Sequence, residues 1–140
     1  MIKTFLALAL LALPQVASAD ENEAEACLRT KVWDGYADGW AIRTMTKETL
    51  KNGATESYLV TLYKGNEYQI QACGDSASAN LDLLLYDLNG KVIQKDNTKD
   101  KQPVLSIKPE KTATFYVVVH ARSLNAGQEN TGFSVAVTYR

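Results

Sequence analysis

Histidine is almost missing from this chain: its 140 residues include only His120. A serine or cysteine nucleophile needs a base within hydrogen-bond reach. The one imidazole ends the run Val117-Val118-Val119, where a lone histidine reads as a structural strand-end residue. No G-x-S-x-G element, glycine-rich phosphate loop or H-E-x-x-H occurs. The acidic residues are too common for any carboxylate pair to stand out. These absences disfavour an enzyme and leave a hydrolase with an unrecognised site as the last-ranked reading.

Cysteine is scarce as well. Cys27 and Cys73 are the whole complement, and neither belongs to a C-x-x-C pair, which disfavours redox catalysis. Two thiols and one imidazole at no recognisable spacing do not make a zinc site. Charge of one sign is lacking: 15 Lys and Arg stand against 16 Asp and Glu, with no block of either. That balance argues against nucleic acid and against electrostatic docking on anionic lipid. Past the first residues no apolar run approaches the roughly 18 needed to cross a bilayer. There is no internal repeat and no low-complexity tract.

The apolar run that does exist is at the start. Met1-Ile2-Lys3-Thr4 leads into Phe5 to Leu13, then Pro14, then Ala17-Ser18-Ala19. A short basic start, an apolar core of this length and an A-x-A end describe a secretory signal peptide over residues 1–19. Cys27 follows Glu25-Ala26 rather than a lipobox, so a lipid anchor is disfavoured. The expected mature protein begins near Asp20, has no membrane span, is monomeric, and is periplasmic or secreted. In an oxidising compartment an even pair of cysteines forms a disulfide, here Cys27 with Cys73.

Residues 20–39 read as a helix followed by an aromatic linker. Ala24, Leu28, Val32 and Tyr36 recur at four-residue steps beside Cys27, giving one apolar stripe. Glu21, Glu23 and Glu25 suit the helix start, and Gly35 and Gly39 weaken its continuation. Trp33, Tyr36 and Trp40 place three large rings in eight residues. They form either a stacking and binding surface for sugar or protein, or the apolar contact that docks the helix.

Residues 40–140 change to short alternating runs separated by turns. Strands are expected over Ile42–Thr46, Tyr58–Tyr63, Tyr68–Cys73, Leu81–Leu88, Val92–Ile93, Val104–Ile107, Phe115–His120 and Phe133–Tyr139, with polar linkers between. Asn89-Gly90 is a strong hairpin signal. Seven or eight such strands indicate an antiparallel β-sandwich with one N-terminal α-helix docked on it. Leu81, Leu83 and Leu85 share one face of their strand, and Leu84 and Tyr86 share the other. Both faces are apolar, so the helix, tied through an outward-pointing Cys73, is the expected cover for Leu84 and Tyr86.

From Gly53 onward the chain reads x-Tyr-x-Val-x-Leu-x-x-Gly-x-x-Tyr, then Asn80-Leu81-Asp82-Leu83-x-Leu-Tyr86-Asp87-x-x-Gly90. Asp96, Pro103-x-Leu-x-Ile, Phe115-Tyr116-Val117-x-Val119 and Gly132-Phe133-Ser134-Val135 follow. Over roughly residues 53–140 this resembles the bacterial pre-peptidase C-terminal domain. The resemblance implies a jelly-roll-like sandwich, a location outside the cytoplasm and, in some members, calcium sites or binding to insoluble protein or polysaccharide. No peptidase domain precedes this copy.

Calcium is the one cofactor the residues raise. Asp75, Asn80, Asp82, Asp87, Asp96 and Asp100 offer hard oxygen ligands in loops that could meet at one end of a sandwich. Against this, the 96–101 segment lacks the central Gly and closing Glu of an EF-hand loop, and aspartates at turns commonly accept backbone N–H bonds instead. The leading expectation is an exported, non-catalytic module with a binding or structural role and an unknown protein or polysaccharide partner. An inhibitor-like or stress-related envelope protein acting on a protein partner ranks second.

Overall fold

The computed structural model describes residues 19–140; Met1–Ser18, nearly all of the expected signal peptide, lie outside the described residues. The described residues form helix α1 (Glu21–Tyr36) and strands β1 (Ala41–Lys51), β2 (Thr55–Leu62), β3 (Tyr68–Gly74) and β4 (Ser78–Asp87). Strands β5 (Val92–Asp96), β6 (Val104–Ile107), β7 (Ala113–Leu124) and β8 (Asn130–Tyr139) complete the chain.

Every strand pairing is antiparallel. One sheet has the order β1-β8-β3-β6 and the other β2-β7-β4-β5. This interleaving of early with late strands is the jelly-roll arrangement, built from two Greek keys. The period-2 alternation supplies the core between the sheets. Leu81, Leu83 and Leu85 of β4 meet Phe115, Val117 and Val119 of β7, with Tyr68, Ile70, Ala72, Phe133, Val135 and Val137 opposite. Tight turns close the edges. At Asn89-Gly90, Gly90 adopts a positive φ of 83°, and Asp87 Oδ1 accepts the N–H groups of Asn89 and Lys91, each at 2.9 Å.

Helix α1 lies on the outer face of the β1-β8-β3 sheet, where Leu28, Val32, Cys73 and Ala136 form a second apolar cluster joined by Cys27 and Met45. Small outward residues on β8, Ser134 and Ala136, leave room for the helix, and both are buried. Asp20 caps the helix by accepting from Glu23 N at 3.0 Å. Cys27 and Cys73 are disulfide-bonded, with Cα atoms 6.1 Å apart.

The helix does not cover Leu84 and Tyr86. Strands β3 and β4 are consecutive in the chain but belong to opposite sheets. Outward for Cys73 and outward for Leu84 are therefore opposite sides of the sandwich, and a parity count along one strand cannot reveal that. Leu84, Tyr86, Tyr116 and Val118 instead share the outer face of the second sheet, half-buried or exposed, with Leu59 at its rim.

Strand lengths also differ from the sequence reading. Strand β1 continues through the expected polar linker to Lys51 because β8 supplies partners along its whole length. Strands β7 and β8 extend into the loop expected between Arg122 and Gly132. A register shift between Ile42 and Thr44 reverses the side-chain alternation there: Ile42 faces the helix side, while Thr44 pairs with inward-facing Val137.

Candidate functional site

Trp33 and Tyr36 do not dock the helix. Val32 faces the sheet, whereas Trp33 is 73% exposed and Tyr36 48%. Their rings meet edge-on, with centroids 5.4 Å apart and planes at 75°. Together with Arg29, Thr30 and the rotated Ile42 they border an open groove of about 480 Å³. Trp40 is not part of it. Its ring lies against Gly35, where an added Cβ would come 3.3 Å from the Trp40 Cβ. The Arg140 guanidinium stands 4.6 Å over its centroid. Arg140 is held in turn by Glu67 at 2.6 Å.

Of the oxygen ligands considered for calcium, only Asp96 and Asp100 share a partner, the Thr98 hydroxyl, at 2.7 and 3.4 Å. Asp75, 2% exposed, accepts hydrogen bonds from Asp20, Ala77 and Gly132 backbone nitrogens and from the Thr131 hydroxyl. Asn80 donates to Ser123 Oγ at 2.6 Å. Asp87 holds the hairpin turn already described. Asp96 accepts from Thr98 and, at 2.9 Å, from Val104 N. Burial opposes its ionised form, but those hydrogen bonds and nearby Lys31 outweigh it, so its pKa lies below the ordinary aspartate value. Asp100 accepts from Gln102 N at 2.7 Å. Among the described residues, no group of three or more His, Cys, Asp or Glu is placed to hold a metal ion.

His120 stands beside a single carboxylate. Its Nδ1 is 3.6 Å from Asp82 Oδ2, and Arg122 Nε is 3.4 Å from the same oxygen. Asp82 is 5% exposed, so the cluster ties β4 to β7 across their register.

One cleft was not foreseen. Edge strands β1 and β2 lie opposite each other in the two sheets, and between them is a cleft of about 440 Å³. Its floor is Val60, Val117, Val135 and Val137, and its β1 wall is Thr44 and Thr46. At one end the Tyr58 hydroxyl donates to the Glu48 carboxylate. Burial first, then the hydrogen bond to Glu48, and last the negative charge of Glu48 and Glu56, push the Tyr58 phenol well above its ordinary pKa. At the other end Arg43 donates to the Thr61 carbonyl and lies 5.4 Å from the Tyr63 ring centroid. The signal in the sequence was the hydroxyl and carboxylate series Thr44, Thr46, Glu48 on a strand whose inward positions should be apolar.

Among the described residues no helix is long and apolar enough to cross a membrane. No family model matches the chain, and no curated protein does. The chain is similar in structure to the pre-peptidase C-terminal domain of a collagenase from Bacillus anthracis. The TM-score is 0.53 at 13% identity, covering 69% of this chain and 89% of that one. It is also similar to PliG of Aeromonas hydrophila, a periplasmic inhibitor of g-type lysozyme, with a TM-score of 0.51 at 14% identity. That match covers 74% of this chain and 90% of PliG. The likeness is one of fold, the jelly-roll sandwich expected for residues 53–140.

Proposed function

We propose that this chain is an exported, non-catalytic β-sandwich module, freed of its leader in the periplasm or outside the cell, that binds a protein partner through the Trp33–Tyr36 groove. The observation that carries this reading is the exposure of two large aromatic rings on a helix fastened to its sheet by a disulfide. Trp, Tyr and Arg are the residues that most often dominate protein interfaces, and Arg29 borders the same groove. A rigid support lowers the ordering cost of binding. The edge-on ring geometry favours protein over polysaccharide: rings at 75° make a wedge for an apolar side chain, not a flat bed for a sugar. Occlusion of an enzyme, as PliG's name describes for that protein, is the narrower form of this reading.

The test is paired capture from envelope extract by wild type and by a Trp33→Ala, Tyr36→Ala variant, with a glycan array as control. Both side chains are exposed, so the variant should melt with wild type. Support is a protein retained by wild type and lost by the variant. Identical retention by both, or binding confined to glycans, would overturn the proposal.

A further inference from the structure

Asp75 is a buried carboxylate whose oxygens are all engaged, yet by no cation. It sits in the β3–β4 turn, where Oδ1 accepts from Ala77 N at 2.9 Å and from the Thr131 hydroxyl at 2.7 Å. Oδ2 accepts from Gly132 N at 2.8 Å and from Asp20 N at 2.7 Å. Among the described residues no Lys, Arg or His side chain forms an ion pair with it. Lys101 Nζ reaches the Asp75 backbone carbonyl, at 3.2 Å, and not the carboxylate. A buried charge with no opposite charge is costly to fold around. The fold nonetheless presses Asp20 onto it. Gly132 permits this approach, since a Cβ there would stand 2.6 Å from both Asp20 C and Glu21 N.

We infer that cleavage of the Ala19–Asp20 peptide bond supplies the missing cation, so that the new α-ammonium of Asp20 becomes the counter-ion of Asp75. In that hydrolysis the C–N bond breaks and water's hydroxyl joins the Ala19 carbonyl carbon. A hydrogen goes to the Asp20 nitrogen, and the amine takes up a further proton from solvent near neutral pH. A neutral N–H donor is thereby replaced, in place, by a charged one, and 2.7 Å is already a separation typical of charge-assisted bonds. The inference rests on the export reading, in which the leader ends at Ala19. The Ala17-Ser18-Ala19 signal and the Asp75 geometry point independently to the same bond. The charged groups around the new terminus are the carboxylates of Asp20, Glu21 and Glu23 on α1, with Lys101 at the turn. The carboxylates favour the ammonium form and oppose the positive end of the α1 dipole, which disfavours it.

The test compares four proteins: chains starting at Asp20 or, one residue longer, at Ala19, each with Asp75 or with Asp75→Asn. With Asp75 present, the chain starting at Asp20 should melt higher, by about 5 °C on the scale usual for a domain this size. Asp75→Asn should erase that gap. If the two Asp75→Asn chains fail to fold, the pair that keeps Asp75 still decides through N-terminal acetylation followed by mass spectrometry. The Asp20 amine should react many-fold more slowly than the Ala19 amine. Equal melting and equal reactivity would overturn the counter-ion. Intact mass of the exported protein separates the two ideas: a retained leader defeats the export reading, whereas a start at Asp20 without the gap defeats only the counter-ion.

Discussion

Reducing the Cys27–Cys73 bond should cost this protein stability without dismantling its sandwich. The bond joins residues 46 apart in sequence, and the chain-entropy account gives about 4 kcal/mol for a loop of that length. Burial of Leu28 and Val32 beneath the helix contributes a similar amount, at roughly 1.5–3 kcal/mol per side chain. The disulfide thus supplies about half of what fastens α1 to its sheet. The larger core around Leu83, Val117 and Phe133 lies on the other side of that sheet and is untouched by the bond. Urea titrations of oxidised protein, reduced protein and a Cys27→Ala, Cys73→Ala variant would measure the effect. With a urea m-value near 2 kcal/mol per M, the midpoint should fall by about 2 M. In a Trp33→Phe background, indole fluorescence from Trp40, whose ring packs against Gly35 of the helix, follows α1, while far-UV circular dichroism is dominated by the strands. A fluorescence transition at lower urea than the dichroism transition would mean the helix lifts off first. A midpoint that does not move on reduction would refute the reasoning.

Three further outcomes are expected. Gly132→Ala should force the start of α1 off β8, because its Cβ meets backbone rather than a movable side chain; a loss of about 1–3 kcal/mol and faster proteolysis near residue 20 would show it. The Tyr58 phenol is held protonated in the folded state, so its contribution is complete below the ordinary tyrosine pKa of about 10 and declines as pH rises above it. Urea midpoints from neutral to strongly alkaline pH should therefore fall more steeply for wild type than for Tyr58→Phe. Calcium should leave the melting temperature of wild type and of Asp82→Ala unchanged, since among the described residues no three acidic groups are placed to share an ion; stabilisation of wild type alone would contradict this.

The features legible in the sequence were those set by near neighbours. Period-2 alternation marked Leu81, Leu83 and Leu85 as one face, and four-residue spacing marked Ala24, Leu28, Val32 and Tyr36 as the apolar stripe, of which the first three are buried and Tyr36 is exposed. Parity along β3 pointed Cys73 outward, toward its partner. The features that depended on distant pairing were not legible. Nothing local to Cys73 and Leu84 says that their strands lie in opposite sheets. Likewise, the shift at Arg43 that turns Ile42 toward Trp33 is a property of β1 against β8. Asp75 looked like a calcium ligand because its carboxylate is a hard donor. Three of its four hydrogen-bond donors come from residues 20, 131 and 132, more than fifty positions away on either side. The cleft between β1 and β2 escaped notice for the same reason: its walls come from strands adjacent in sequence, but three of its four floor valines, Val117, Val135 and Val137, come from β7 and β8.

The seat of the N-terminal helix is finished by β8, the strand farthest from it in the sequence of elements. Cys73 is an early residue, but the Ala136 surface beside it and the Gly132 opening for Asp20 arrive only with β8. Until β8 has paired, α1 therefore lacks part of its seat, as non-local topologies of this kind demand. During that interval Cys27 and Cys73 are both available while the geometry that aligns them is absent. A chain cut short before β8 would lose the seat of its N-terminal helix together with its C-terminal strand.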